Sequence, residues 1–236
     1  MDKIINFFSE LGSSFYQSVI YDNRYEYILE GLLNTLLISF FAVLIGILIG
    51  VVIALIRTNH DKNGKMKIAN AISSTYVNII RGTPVILQLM IIYYVIFETV
   101  DINIVLVGVL AFGINSGAYV AEIIRAGINS VPQGQMEAGL SLGLSYSQTM
   151  RYIILPQALK NILPALCNEF ITLIKETSVG AYIGIVELTK ASDIIASRTY
   201  DYFFPLVIIA IIYLILTLGL TKLVNIMERR LNNAGN

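Results

Sequence analysis

The sequence has few of the side chains that build catalytic or metal-binding centres. Cys167 is the only cysteine and His60 the only histidine among 236 residues, and tryptophan is absent. A single cysteine excludes an internal disulfide framework and a thiolate metal site. We expect Cys167, inside an apolar segment, to be a small buried side chain and His60 to lie in a solvated loop. No metal or cofactor is predicted for the chain itself.

Charge is also scarce. Charged residues make up 14% of the sequence, whereas a typical soluble domain has about 25%. The net charge is zero, so nothing indicates a nucleic-acid partner. Hydrophobic residues make up 56% of the chain, and its mean hydropathy is +0.72. Because the apolar residues form a few long runs, the sequence predicts an all-α integral membrane protein.

Five apolar runs are predicted to span the membrane, within a transmembrane domain over residues 28–228, and residues 229–236 form a cytoplasmic tail. The spans lie at about residues 32–56, 66–97, 102–125, 160–183 and 204–224. Lys and Arg set the orientation, because they collect in cytoplasmic segments. Ten of the sixteen fall on the side of the tail, four on the other side and two inside the membrane. The N-terminus is therefore predicted outside and the C-terminus in the cytoplasm.

Residues 1–27 do not form a cleavable signal peptide, because acidic residues interrupt them and no continuous apolar core is present. Apolar residues recur there at spacings of three and four, which predicts an extracytoplasmic amphipathic helix lying on the membrane. A helix that binds a soluble partner is the alternative. The recurring residues are Ile4, Phe8, Leu11, Phe15 and Val19.

Small residues lie four apart in the first span and favour the close approach of a second helix, which we expect to belong to the same subunit. They are Gly31, Thr35 and Ser39, followed by Gly46 and Gly50.

The second span is interrupted by Arg81-Gly82-Thr83-Pro84. Proline removes an intrahelical hydrogen bond and glycine loosens the backbone, so we expect two half-helices here. Broken helices at membrane depth line cavities and mark transport pathways. A simple proline kink is the alternative, but an arginine inside the membrane needs a partner or water.

Polar side chains from three spans share one depth. Arg81 and Asn115 lie near the middle of their spans, and Asn168 and Glu169 lie about 12 residues beyond Pro156, roughly 18 Å at 1.5 Å per residue. They predict either a substrate passage, which we favour, or a structural network in which Arg81 pairs with Glu169. The candidate passage residues are Arg81, Thr83, Gln88, Asn115, Tyr119, Glu122, Asn168, Glu169 and Thr172.

Residues 130–156 form a polar insert between the third and fourth spans. Ser130 with Gln133 and Ser145 with Gln148 have the spacing of capping boxes, which predicts two short helices. Gly143 lies where the first helix would end in the left-handed conformation. Leu155-Pro156 is expected to bend or end the second helix.

This insert resembles the EAA loop of permease subunits from bacterial ABC importers, and we call it the EAA loop. The resemblance implies a type I permease fold with five spans and a cytoplasmic coupling helix between the third and fourth. It departs from the commonest form only at Gly139, where alanine is usual. The residues that match the coupling motif are Glu137, Ala138, Gly139, Gly143, Leu155 and Pro156.

Three further blocks resemble the polar amino-acid uptake branch of these permeases. They are Arg81-Gly82-Thr83-Pro84 with Gln88, Ser116-Gly117-Ala118-Tyr119 with Ala121-Glu122, and Asn168-Glu169-Phe170 with Lys175-Glu176-Thr177-Ser178. The resemblance implies a dimer of permeases, two ABC ATPase subunits that hold ATP and Mg²⁺, and an extracytoplasmic amino-acid-binding protein. The polar loop 187–202 is the expected contact for that binding protein.

Two alternatives come from other functional classes. The chain could be a secondary transporter driven by an ion gradient, with Glu122 and Glu169 as ion sites, or a scaffold that anchors a soluble protein. Five spans without a visible inverted repeat disfavour the first, and polar groups in the membrane disfavour the second. The chain has no G-x-x-x-x-G-K-[ST] phosphate loop, so we expect it not to be an enzyme.

Overall fold

The structure, a computed structural model, describes residues 12–233, which are helical apart from short connections and contain no β-strand. The helices are α1 (Tyr25–Asn63), α2 (Lys67–Gly82), α3 (Val85–Ile91), α4 (Ile104–Asn129), α5 (Gln133–Ser141), α6 (Tyr146–Thr149), α7 (Leu155–Glu176), α8 (Leu188–Thr199) and α9 (Phe203–Asn233). Short π-helical or 3₁₀ segments lie at Tyr16–Ile20, Tyr21–Asn23, Ile92–Ile96, Met150–Ile154 and Thr177–Ile183.

Helices α1 and α4 form the central pair of the bundle, and glycines on both bring them close together. A Cβ added to Gly46 would lie 2.7 Å from Ser116 Oγ, and one added to Gly50 would lie 2.5 Å from Val120 Cγ1. In return, a Cβ on Gly117 would lie 2.8 Å from Ile49 Cγ2. The predicted close approach within one subunit is confirmed, and any larger side chain at these glycines would push the helices apart.

Helix α1 extends beyond the predicted first span at both ends. It is 39 residues long and ends where Gly64 takes a left-handed φ of +61°. His60 therefore lies in the last turn of a helix, and its Nδ1 contacts Lys65 O at 2.8 Å. The prediction of a solvated loop around His60 is wrong, because the helix continues past the apolar run into polar sequence.

Helices α2 and α3 meet at an angle of 109°. Thr83 between them is extended, with φ −124° and ψ +149°, and Pro84 follows at the N-terminus of α3. Proline disfavours the helical conformation for the residue before it, and it has no N–H to donate. Both effects act at Thr83 and Pro84, so the helix breaks there. The two half-helices leave an open corner beside the middle of α4.

Three described helices are long and apolar enough to cross a membrane, at Tyr25–Asp61, Ile104–Asn129 and Phe203–Leu231. The bent pair α2–α3 qualifies as a fourth if it counts as one span. Helix α7 does not qualify, because charged and amide side chains interrupt its apolar residues. The predicted count of five depends on α7 and stays a prediction.

The segment 187–202 was predicted to be a polar loop, and this is wrong because most of it is α8. Glu187 is fully buried at the start of that helix and accepts hydrogen bonds from Thr189 N (2.8 Å) and Lys190 N (2.7 Å). Tyr213 Oη on α9 donates a third, at 3.0 Å. Burial raises the pKa of the Glu187 carboxyl, while these hydrogen bonds favour its charged form.

The start of the chain is described only from residue 12. Ile4, Phe8 and Leu11, part of the predicted amphipathic helix, lie outside the described residues. Phe15 is exposed and Val19 half-buried, and left-handed Asp22 and Asn23 separate the π-helical segment there from α1.

Candidate functional site

The EAA loop folds as two short helices that cross each other. Gly143 ends the first with φ +84°, and Leu144 N donates to Gly139 O at 3.2 Å. Ser145 Oγ accepts from Gln148 N at 3.3 Å, while Gln148 Oε1 accepts from Ser145 N at 2.8 Å. The predicted glycine stop and the second capping box are both confirmed.

The first capping box is not formed. Helix α5 begins after Pro132 and has no side-chain cap. Ser130 Oγ instead donates to Gly127 O at 2.7 Å and accepts from Asn161 Nδ2 at 2.8 Å. Ser130 therefore joins the end of α4 to α7, and a partner far away in the sequence replaces the local cap.

Gly139 is the contact point between α5 and α6. A Cβ added there would lie 2.4 Å from Thr149 Cγ2, and Thr149 is completely buried. The opposite face of α5 is exposed, including Glu137 and Ala138. Leu142, at the end of the helix, is 82% exposed. The loop thus presents a mixed polar and apolar surface on a tightly packed support.

Pro156 does not end the helix that carries it. Helix α6, the π-helical segment Met150–Ile154 and α7 follow one another without a break in helical structure. Pro156 directly follows the π-helical segment, whose wider turn accommodates a residue without an N–H inside the helical run. The second arm of the EAA loop is therefore continuous with the helix that bears Asn168 and Glu169.

At the corner between α2 and α3, Gln88 connects three elements. Its Nε2 donates to Ile80 O at 2.8 Å and to Thr83 Oγ1 at 2.7 Å. Its Oε1 accepts from Asn115 Nδ2 at 2.9 Å, and Asn115 is only 3% exposed. The carbonyl left free by the break thus gains a donor, and the corner is fixed to the middle of α4.

Two helical turns further along α4, Glu122 forms ion pairs with three arginines. It pairs with Arg57 of α1, with Arg125 Nη2 at 2.9 Å and with Arg81 Nη1 at 3.9 Å. Arg81 is the least engaged of the three, since its side chain is 45% exposed. Its guanidinium lies 5.4 Å from the centroid of the Tyr119 ring. The cluster carries three positive charges and one negative charge, so it favours an anion beside Arg81.

Glu169 is not the partner of Arg81, so the network that paired them is wrong. Ser116 Oγ donates to Glu169 Oε1 at 2.9 Å. Ser116 is completely buried, whereas Asn168 is exposed and Thr172 half-buried on the same helix. Arg81 instead reaches Glu122 from the last turn of α2.

Three contributors to this site were not among the predicted residues. Arg57 lies one residue beyond the predicted first span, although it belongs to α1 and binds Glu122. Arg125 is the last residue of the predicted third span and was given no role, and Ser116 was noted only within a motif. A basic residue one turn from Glu122 on the same helix face is a signal that could have identified Arg125. The contact between Arg57 and Glu122 depends on how α1 packs against α4, so spacing along one helix does not predict it.

Residues 46–233 match the family described as the inner membrane component of binding-protein-dependent transport systems. A putative glutamine transport system permease protein of Rickettsia bellii is 42% identical over 207 residues, covering 87% of this chain and 93% of the relative. The arginine transport system permease protein of Bacillus subtilis is 42% identical over 164 residues, covering 69% and 75%.

Solved structures show the same fold. A chain from an amino acid ABC transporter, crystallised with histidines, has a TM-score of 0.81 and 47% identity, covering 87% of this chain and 94% of that one. A chain of the inward-facing MetNI methionine ABC transporter has a TM-score of 0.68 at 22% identity, covering 92% and 100%. These likenesses confirm the predicted all-α type I importer fold. Together with the match over residues 46–233, they show that the chain belongs to the family of inner membrane components of binding-protein-dependent transport systems.

Proposed function

We propose that this chain forms the membrane passage of an ATP-driven importer of polar amino acids, for which the relatives named for glutamine and arginine give two substrates to test. As a member of its family, the chain is a multi-pass inner membrane transport subunit and not an enzyme. ATP hydrolysis belongs to a separate subunit. The observation that carries the proposal is the continuous helical connection from the crossed EAA loop to Glu169.

The first role is coupling. The exposed face of α5 binds an ABC ATPase. On the buried face, Gly139 allows the helix to pack against Thr149. Movement of the ATPase then passes through α6 into α7. The residues assigned to coupling are Glu137, Ala138, Gly139, Gly143, Leu155 and Pro156.

The second role is binding an amino acid, which carries a carboxylate and an ammonium. Arg81 takes the carboxylate, because its pairing with Glu122 is the longest in the cluster and its side chain is exposed. Glu169 takes the ammonium or a basic side chain, since Ser116 fixes one of its oxygens and, in the described part of the chain, no arginine pairs with it. Tyr119 supports Arg81. The remaining residues assigned to the passage are Thr83, Gln88, Asn115, Glu122, Asn168 and Thr172.

The third part of the proposal concerns assembly and orientation. Two ATPase subunits, a second permease and an extracytoplasmic binding protein complete the importer. The end of the bundle that bears the EAA loop lies in the cytoplasm, as the distribution of Lys and Arg indicates. ATP and Mg²⁺ are held by the ATPase partner.

Uptake by proteoliposomes tests the proposal. The chain is reconstituted with its ATPase, its binding protein and any sister permease, and accumulation of labelled glutamine and arginine is measured with and without ATP. We expect uptake only with ATP and the ATPase. Uptake driven by an ion gradient without the ATPase would contradict it.

The substitution Arg81→Gln tests the carboxylate site in the same vesicles. Loss of a charge-assisted contact to substrate should raise the half-saturating substrate concentration about tenfold or more. Thermal stability should change little, because the pairing with Glu122 is long and exposed. Equal losses of stability and transport would assign Arg81 to the structural cluster instead.

A further inference from the structure

A second charged cavity lies at the end of the bundle opposite the EAA loop. It has a volume of about 270 Å³ and is formed where the segment that precedes α1 meets the end of α8. None of its residues belongs to the passage or to the EAA loop. Its lining consists of Gln17, Tyr21, Arg24, Arg198 and Thr199.

Arg24 is a buried cation that forms no ion pair with the described residues, 12–233. It is 7% exposed, and its Nη1 donates to the backbone carbonyl of Gln17 at 2.5 Å. Its Nε is buried and has no hydrogen-bond partner within the described part of the chain. The guanidinium also lies 5.4 Å from the centroid of the Tyr21 ring. A buried charge that lacks a counter-charge is costly, so an anion at this site would stabilise the fold.

Arg198 supplies the second positive charge of the cavity. It lies 3.7 Å from Asp22 Oδ2 and 4.9 Å from the centroid of the Tyr27 ring. Its side chain is still 45% exposed. Two guanidinium groups and one carboxylate leave an excess of one positive charge, which matches a singly charged phosphodiester.

The surroundings of the cavity indicate where that phosphate comes from. Exposed aromatic side chains surround this end of the bundle, as they do at the head-group level of membrane proteins. Helix α9 begins there, and only 11% of its apolar stretch is buried within the chain. The exposed aromatic residues are Tyr16, Tyr21, Tyr25, Tyr200, Tyr202 and Phe203.

We propose that Arg24 and Arg198 bind the phosphate of a phospholipid head group and that the site prefers anionic phospholipids. A head group that carries its own ammonium would bring a further cation close to the two guanidinium groups. The bound lipid fixes the start of α1 and the end of α8 at the membrane surface.

The test measures thermal unfolding of the detergent-purified transporter complex during titration with short-chain phosphatidylglycerol. Phosphatidylcholine with the same acyl chains and inorganic phosphate are titrated separately. We expect phosphatidylglycerol to raise the unfolding temperature most, with apparent binding about tenfold weaker in Arg198→Gln. Lys190→Gln is the matched control, because Lys190 lies on the same helix and also has one acidic partner, Asp193 at 3.5 Å. That variant should bind the lipid as the unmodified complex does.

Arg24→Lys provides a second variant that keeps the charge if Arg24→Gln fails to fold, and it should also weaken lipid binding. Equal stabilisation by the two lipids, or lipid binding unchanged in Arg198→Gln, would overturn the proposal. Stabilisation by inorganic phosphate that phosphatidylglycerol cannot displace would overturn the assignment to lipid. Unchanged lipid binding with weaker docking of the binding protein would assign the two arginines to that protein.

Discussion

Gly139 and Thr149 occupy one crossing point of the EAA loop, and an added Cβ on Gly139 would lie 2.4 Å from Thr149 Cγ2. Thr149 cannot easily move away, because it is fully buried and its Oγ1 donates to Ser145 O at 3.0 Å. Gly139, where the commonest motif has alanine, therefore leaves the space that the side chain of Thr149 occupies.

Gly139→Ala should destabilise the loop. Helix propensity alone would favour alanine by about 1 kcal/mol, but overpacking of a fixed contact costs about 1–3 kcal/mol. We expect a lower unfolding temperature and weaker stimulation of the ATPase in the reconstituted complex. Adding Thr149→Ala removes the obstructing methyl group and should restore part of both. Losses that simply add in the double variant would show that the two residues do not interact.

Glu137→Lys should lower both transport and coupled ATP hydrolysis while leaving membrane insertion intact. Glu137 is exposed on α5, so reversing its charge affects the contact with a partner more than the fold. Glu228→Lys is a matched control, since Glu228 is also exposed and lies in the last part of α9. ATPase activity and substrate uptake are measured side by side. Equal activity in the two variants would argue against a docking role for Glu137.

Glu122→Gln should be the most damaging change in the arginine cluster. It removes the carboxylate with which three guanidinium groups pair, and that carboxylate is only 20% exposed. Loss of one member of a fully buried pair costs about 3–5 kcal/mol, and partial exposure lowers this to roughly 2 kcal/mol. Thermal unfolding of the purified complex should therefore rank Glu122→Gln below Arg125→Gln, and Arg125→Gln below Arg81→Gln. If the unfolding temperatures followed the reverse order, the arginines would repel one another less than the geometry indicates.

Glu169→Gln should change substrate selectivity more than stability. The amide keeps an oxygen that can accept from Ser116 but loses the negative charge assigned to an ammonium or a basic side chain. We expect arginine uptake to fall relative to glutamine uptake, measured in competition. Ser116→Ala is the companion variant, because it removes the hydrogen bond and keeps the charge. If uptake of both amino acids were unchanged in Glu169→Gln, Glu169 would be structural.

Local features of the EAA loop could be predicted from the sequence because their partners lie within a few residues. Gly143 and the pair Ser145–Gln148 are examples. Ser130 shows where this reasoning fails, since Asn161 replaces the cap that its spacing predicted. A hydroxyl near a helix start has the same sequence pattern whether it caps that helix or contacts a distant one.

The sequence placed the residues of the proposed passage at one depth but did not predict which of them pair. Depth along the spans placed Arg81 and Glu169 at similar levels, yet Arg81 reaches Glu122 and Glu169 reaches Ser116. Which side of a helix faces which neighbour depends on the close packing of α1 and α4. Helix α8 was missed because its buried face alternates with polar residues, which lowers its mean hydropathy to that of a loop.

Under the proposed coupling role, the helical run from Thr149 to Glu169 acts as a lever arm. Twenty residues at 1.5 Å each separate the two by about 30 Å, and no non-helical residue intervenes, although Pro164 removes one hydrogen bond within the run. A tilt of about 5° at the Gly139 crossing would therefore swing the Glu169 end by roughly 2.5 Å, about the length of one hydrogen bond. A small angular stroke at the surface becomes a displacement large enough to break or make the contact with Ser116.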